Sequence, residues 1–299
     1  MKIEKLPYFI DLYESRSYTK TAQKNYISQT SVTQFINSLE DEFNVCLFDR
    51  SILPIQPTEA GTIFYNEAKI LLQQYRHMED VTTSYNAGMS MTVRICYTSA
   101  FDLQLLLPFM VQFKKRHPKI PLEFYCATFK EITSCLAACK CDATIATYCN
   151  TENKSSDTIK NITLYRGKFE ALVGKNHDLY NQDCITKQEL YHYPLIIMSK
   201  DVIGDNYERI LHNTKLDGYY PNIQKTVEDA QTQLLNIITD DYIGFVPDNY
   251  FFQEYEGYLR KIPIVDSNHG FSLDLQYAVD RNPSMEILAK ELERYLKMQ

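Results

Sequence analysis

Between Ser28 and Gln34 the chain gathers Ser28, Gln29, Thr30, Ser31, Thr33 and Gln34 into seven positions. Hydroxyls and carboxamides of this kind both donate and accept hydrogen bonds without carrying charge. A glutamine can bond an adenine edge at two points. A threonine can offer its hydroxyl, or set its methyl against that of thymine. Displayed on the first two turns of a helix, such side chains could read base edges in a DNA major groove. Phosphate contacts would fall to scattered cations, Lys20, Lys24 and Arg50 first, with Lys5 and Arg16 behind them. No Lys or Arg lies between Ile27 and Glu40, so the reading surface itself is not basic. Residues 1–89 hold eight Lys and Arg against eleven Asp and Glu, part of a formal net charge of −7. Modest affinity for random duplex and a shallow salt dependence are the expected consequences.

Two short helices and a tight turn must position these groups. Thr19 is expected to cap a helix running to about Asn25, and Ser28 to cap the next. Val32, Ile36 and Leu39 recur at helical spacing and should face inward. An ordinary helical hairpin with polar caps would share these features, and the hairpin alone leaves both readings open. A longer pattern separates them. Ser17, Thr19 and Ala22 precede the turn, and Gln29 and Val32 follow it. Ile36, Leu39 and Glu40 come next, then Leu47, Phe48 and Arg50, and finally Thr58, Ala60 and Gly61. In this order residues 1–87 resemble the winged helix-turn-helix and linker helix of LysR-type transcriptional regulators. The remainder resembles that family's effector domain more weakly. Departures from the pattern are Thr30 for a usual Pro, Thr33 for Ser, Asn44 for Gly and Pro57 for Leu. The wing, residues 51–56, lacks the arginines common there. Pro7 is tolerable only if the first helix starts near Glu4, where the lost N–H would have been unpaired anyway.

From Thr58 to about Ala87 one long helix is expected. Phe64, Ala68, Leu71, Tyr75, Met78, Thr82 and Tyr85 alternate in steps of four and three, the spacing of a coiled-coil seam. Phe64, Ala68, Leu71, Tyr75, Met78 and Tyr85 are the expected dimer contacts. Residues 86–90 break the period and form the expected hinge. The divisions are therefore a winged helix-turn-helix at 1–57, a dimerisation helix and hinge at 58–89, and an effector-binding domain at 90–299.

Beyond Ser90 strands and helices alternate. Strands are expected at 92–98, 122–126, 142–147, 164–174, 195–198, 223–226, 243–246 and 273–279. Helices are expected through 103–113 and at 130–140, 204–213, 230–239 and 284–296. The fold class is α/β behind an all-α-dominated winged head, with two Rossmann-like lobes of periplasmic-binding-protein type. Lobe I spans approximately 90–162 and 280–299, and lobe II approximately 168–270. Ligands of such sheets sit beyond the carboxyl ends of strands. Those positions are Thr98, Ser99, Ala100, Phe101, Thr128, Phe129, Thr147 and Tyr148 in the first lobe. The second offers Ser199, Lys200, Thr226, Val227 and Pro247. Ser99 could bind a carboxylate or simply cap a helix, and Lys200 could be an anion partner or a solvated charge. The family resemblance places a small-molecule effector in the same cleft.

Other chemistries have little support. No phosphate loop, HExxH pair or nucleophile elbow is present, so catalysis is not expected. No CxxC or zinc-like His spacing appears among the eight cysteines, so neither metal nor cofactor is expected. Cys96, Cys126, Cys135, Cys139, Cys141 and Cys149 crowd the first lobe, more as small hydrophobes than as disulfides. Some LysR-type regulators switch by cysteine oxidation, with the reactive pair in the second lobe, where only Cys184 is available here. A redox sensor of the same fold is the alternative, and a binding module without DNA function a weaker one. No apolar run is long enough to span a membrane, and Met1–Lys5 opens no apolar signal core. The expectation is a cytoplasmic homodimer or homotetramer on an inverted-repeat double-stranded DNA operator, controlled by a small-molecule effector of unknown identity.

Overall fold

The computed structural model describes residues 2–86, 90–149, 156–267 and 269–298, with the side chains of 84–86 left out. The chain divides into two compact units, Met1–Met89 and Ser90–Gln299.

In the first unit a 3-10 turn at Ile3–Lys5 runs into helix α1 (Leu6–Ser15). Pro7 sits in the first turn of α1, where no helical partner for its missing N–H is lost. The α-helix thus opens at Leu6 and not at Glu4. Helix α2 (Tyr18–Lys24) is capped by Ser17, whose side chain accepts from the Lys20 N–H at 3.3 Å. That corrects the expected cap at Thr19, which lies inside the helix while Ser17 holds the extended conformation a cap requires. Ser28 caps α3 (Gln29–Phe43), accepting from the Ser31 N–H at 3.0 Å. Asn44 ends α3 with φ 50°, a left-handed position in which Asn substitutes for Gly. Strands β1 (Phe48–Asp49) and β2 (Gln56–Pro57) pair antiparallel as the wing.

Helix α4 (Glu59–Asn86) begins where Thr58 Oγ1 accepts from the Gly61 N–H at 2.9 Å and donates to the Cys46 carbonyl at 2.7 Å. A Cβ on Gly61 would lie 2.0 Å from the Leu47 carbonyl oxygen, so only glycine fits this approach. The Phe9 ring meets Phe48 and Phe64 at centroid distances of 5.4 and 4.8 Å. Ala68 is 4% exposed in the same core, and Leu71 packs against it. The first half of the heptad stripe therefore packs on its own head: Ala68 is buried there, and Phe64 and Leu71 are half-buried. Tyr75 is half-buried and Met78 is 55% exposed. The Tyr85 side chain lies outside the described residues, as do positions 87–89 of the hinge expected at 86–90.

The second unit contains β3 (Val93–Tyr97), α5 (Ala100–Leu103), α6 (Leu107–Arg116), β4 (Leu122–Cys126), α7 (Phe129–Cys135), β5 (Ala143–Tyr148) and β6 (Ile159–Gly174). It continues with α8 (Lys187–His192), β7 (Leu195–Met198), α9 (Lys200–Ile203), α10 (Asp205–Leu216), β8 (Ile223–Val227) and α11 (Ala230–Thr239). Strands β9 (Gly244–Pro247), β10 (Leu259–Pro263) and β11 (Gly270–Ala278) and helix α12 (Pro283–Leu296) complete it. Strand β3 is parallel to β4 and β5, and β11 runs antiparallel between β5 and β6. Sixteen-residue β6 belongs to both lobes. Its first part pairs with β11, and its second with β9 and β10. Phe271, Leu273 and Leu275 of β11 lie in the first lobe's core with Val93, Ile145 and Leu288. Lobe I therefore reclaims the chain at Gly270. Strands β7 and β8 pair in parallel in lobe II.

Several elements differ from expectation. Strand β6 opens at Ile159 and not at 164. Helices α5 and α6 divide the helix expected through 103–113, and α8 was not expected. The helix expected over 130–140 ends at Cys135, and Cys139 takes a left-handed φ of 54° in the turn that follows. Gly204, at φ 51° and ψ −128°, separates α9 from α10, a conformation that a side chain resists. Strand β10 was not expected at all, because Arg260, Lys261 and Pro263 hide its alternation. Among the described residues, no helix is long and apolar enough to cross a membrane.

Candidate functional sites

Helix α3 presents two distinct faces. Val32, Phe35, Ile36 and Leu39 are buried, while Ser28, Gln29, Thr30, Ser31 and Gln34 are exposed and Thr33 is intermediate. Thr33 Oγ1 donates to the Gln29 carbonyl at 3.0 Å, and Thr19 Oγ1 donates to Gln29 Oε1 at 3.3 Å. The second bond holds the Gln29 carboxamide on the side of α3 facing α2. Of the three leading phosphate candidates, Lys20 is exposed. Lys24 Nζ lies 2.5 Å from Asp11 Oδ1, and that hydrogen bond raises its pKa. Arg50 is bound at 2.6 Å to Glu40 and at 2.7 Å to Asn37. Its guanidinium ties the wing to α3, which sets it apart from a free phosphate contact. Glu40 is the residue behind this arrangement. Its Oε1 accepts the Leu47 and Phe48 N–H groups at 2.7 and 3.2 Å. In the sequence it stands out as part of the family pattern, with no sign of these partners.

Between the lobes lies a cavity of about 650 Å³, walled by the ends of β3, β5 and β9 and the starts of α5, α7 and α11. Thr98, Ser99, Ala100, Phe101, Thr128, Phe129, Thr147 and Pro247 line it. The other five candidates do not. Tyr148 packs edge-on against Phe129 at 5.3 Å, and Ser199 Oγ donates to Glu228 at 2.9 Å. Lys200 pairs with Glu208 at 2.6 Å, as a surface charge would. On β8 Thr226 is exposed, while Val227 enters the core beside Leu172, Ile196 and Leu234. Ser99 is a cap: its side chain accepts from the Phe101 N–H at 3.2 Å.

Asp102, missed from the sequence, organises the wall. It is fully buried and accepts from Thr98 Oγ1 at 2.8 Å, Thr147 Oγ1 at 3.0 Å and the Tyr250 hydroxyl at 2.7 Å. Burial raises its carboxyl pKa, and hydrogen bonds from Tyr250, Thr98 and Thr147 oppose that rise. The Tyr250 phenol is pushed well above its ordinary value by burial and by Asp102. Tyr250 also stacks on Phe101, with centroids 5.1 Å apart. Gln104 and Phe251 exchange two hydrogen bonds of 3.1 Å, side chain to backbone. Asn206 joins the lobes elsewhere, donating to the Thr147 carbonyl and accepting from the Cys149 N–H. The spacing Ser99-x-x-Asp102 is a capping signature and could have drawn attention to Asp102. Nothing local announces Tyr250.

Residues 3–62 match the model of the bacterial regulatory helix-turn-helix protein, lysR family, and residues 86–297 match that of the LysR substrate binding domain. The chain belongs to the LysR family. It is a transcriptional regulator with a DNA-binding helix-turn-helix and an effector-binding domain. The HTH-type transcriptional regulator CysB of Burkholderia cenocepacia is 26% identical over 247 residues, covering 82% of this chain and 77% of that protein. AlsR of Bacillus subtilis is 23% identical over 255 residues, covering 83% and 81%. The crystal structure of CbnR, a LysR family transcriptional regulator, superposes with a TM-score of 0.73 at 16% identity, covering 98% of this chain and 99% of that one. At that identity the likeness is one of fold.

The cysteines of this LysR-family chain are all free thiols. Cys96 and Cys135 bring their sulfurs to 3.9 Å, both buried. Hydrogen bonding to Cys135 and Cys96, together with burial, holds the Cys141 thiol far above the ordinary range. Cys149, on the cavity wall, is pushed up to about 12 by burial. Cys184 is exposed.

Proposed function

We propose that this regulator reads an inverted-repeat operator as a homodimer or a dimer of dimers, in the cytoplasm, under control of a small molecule bound between its lobes. The observation that carries the ligand part is the cavity itself. It is metabolite-sized, largely apolar in its lining, and closed at one wall by a hydrogen-bonded contact between lobes, Asp102 to Tyr250. A ligand that touches both lobes favours one arrangement of them, and it biases the protein only by its difference in affinity for the two. The exposed amides and hydroxyls of α3 supply base reading.

The test begins by selecting genomic fragments on the purified full chain and footprinting the tightest. Adding the pool of molecules below 1 kDa from the host cell should change the footprint. Ser99→Tyr, which fills the cavity from its wall, should abolish that change. A footprint that responds equally in Ser99→Tyr places the ligand elsewhere. The cysteine alternative rests on Cys96 and Cys135. A hydroperoxide would oxidise one thiol to a sulfenic acid, with an alcohol or water leaving. The second thiol would then close a disulfide and release water. Their burial works against it, since reactive thiols are exposed. A peroxide-shifted footprint lost in Cys135→Ser but kept in Ser99→Tyr would replace the effector reading.

A further inference from the structure

The charged side chains in the largely apolar cavity wall are, among the described residues, all acidic. Among the described residues, its lining includes Asp102, Glu131, Glu228 and Asp229 but no Lys, Arg or His. Three helices start at its wall, and a helix start ordinarily welcomes an anion. Here each start already holds a carboxylate of its own chain. Glu131 accepts from the N–H and hydroxyl of Thr128 at the head of α7, both at 2.9 Å. Asp229 accepts from the N–H and hydroxyl of Thr232 at the head of α11, at 2.8 and 2.7 Å. Asp102 serves the one-turn α5, taking the hydroxyls of Thr98 and Thr147 besides. An incoming carboxylate or phosphate would find these caps held by the chain's own carboxylates, with Glu131, Glu228 and Asp229 around it. A cation would find acids with no base beside them in the wall, and the aromatic side chains Phe101, Phe129, Phe169 and Phe252.

We propose that the effector is an amine: a protonated nitrogen on an apolar body, directed to the Glu228–Asp229 rim, and that the cleft rejects carboxylates and phosphates. This rests on the cleft being the effector site. Glu228 is the rim acid best placed for such a role. It lies one residue before the α11 cap, is exposed, and accepts the Ser199 hydroxyl at 2.9 Å.

Three probes on one ring separate charge from shape: benzylamine, benzamide and benzoate, titrated calorimetrically into the full-length protein at neutral pH. Benzylamine should bind at least tenfold more tightly than benzoate, with benzamide between. Glu228→Lys should weaken benzylamine at least fivefold and strengthen benzoate. Should that variant fail to fold, Glu228→Gln should still weaken benzylamine without adding a base. Benzoate within tenfold of benzylamine, no saturable benzylamine binding, or a ratio unmoved by both Glu228 variants overturns the proposal. Ser99→Tyr distinguishes the two levels. Benzylamine binding that survives in Ser99→Tyr removes the cleft as the site. A benzoate preference abolished by Ser99→Tyr keeps the cleft and overturns the amine alone.

Discussion

Glu40 receives two backbone N–H groups of the wing and the Arg50 guanidinium, so one carboxylate fixes the angle between α3 and the β-turn structure behind it. Glu40→Ala leaves those donors without their acceptor and should destabilise the chain by about 1–3 kcal/mol. Urea unfolding checks this, and Glu40→Gln should fall between the two because it restores one acceptor. Unchanged stability in Glu40→Ala would mean that the wing is held by packing alone. His177 gives a pH signature. Burial holds its pKa below the ordinary 6.5, and its Nδ1 accepts the Leu179 N–H at 3.1 Å, a bond that protonation there would break. The unfolded chain takes the proton first as pH falls. Its contribution is therefore whole above about pH 6.5 and declines as pH drops toward the folded value. Wild type should lose more stability between pH 7.5 and 5.5 than His177→Asn does. Equal losses would remove His177 from the linkage. Neither residue could be ranked from the sequence, since an acid at a helix end and a lone histidine have meaning only through partners brought in by the fold.

Elements with one solvent face were the most legible. Helix α11 stands at 230–239 as expected, and α3 keeps its apolar stripe and polar front as the 3.6-residue period implies. The α4 stripe was visible too, but a heptad spacing is the same whether it meets a second chain or its own head. Its first half meets its own head. Strand β10 was illegible because its flanking cations and proline follow no period. These assignments divide the expected effects of substitution. Met78→Glu, on the exposed half of α4, should shift the protein toward monomer by light scattering. Leu71→Glu should lower the melting temperature instead, because it buries a charge in the head. Were Met78→Glu to stay as oligomeric as wild type, self-association would have to run through another surface. On α3, Gln29→Ala and Gln34→Ala should each weaken the selected operator by about 1–3 kcal/mol while sparing random duplex. Arg50→Ala should weaken both, and the melting temperature should fall with them, since Arg50 braces the wing. Equal loss on both duplexes for Gln29→Ala would exclude base reading by that side chain.

At the scale of the whole effector domain, the contacts that matter join residues far apart in the chain. Asp102 meets Tyr250, Gln104 meets Phe251, and Asn206 meets Thr147 and Cys149. The sequence could point to strand ends as a ligand wall, because that follows from alternation. It could not say which lobe-II residues close it, because Tyr250 lies in a loop with no period. Seven of the eight first-lobe positions accordingly line the cavity, all but Tyr148, while four of the five second-lobe candidates do not. Ser199 bonds Glu228, Lys200 pairs with Glu208, Thr226 is exposed and Val227 enters a core. The lobes are held near this wall by few bonds, so single deletions should be readable. Tyr250→Phe keeps the ring that stacks on Phe101 and removes only the donor to Asp102. A hydrogen bond to a charged acceptor is worth about 1.5–3 kcal/mol, roughly tenfold to a hundredfold in an equilibrium between joined and parted lobes. Hydrogen exchange followed by mass spectrometry on the full chain should therefore show the Phe251 N–H, which donates to Gln104, exchanging at least tenfold faster in Tyr250→Phe. Amides of α12, buried in the first lobe away from the wall, should keep their rates. If the Phe251 segment exchanges as slowly as in wild type, the Asp102–Tyr250 bond does not hold the lobes together, and the Asn206 bridge becomes the contact to remove.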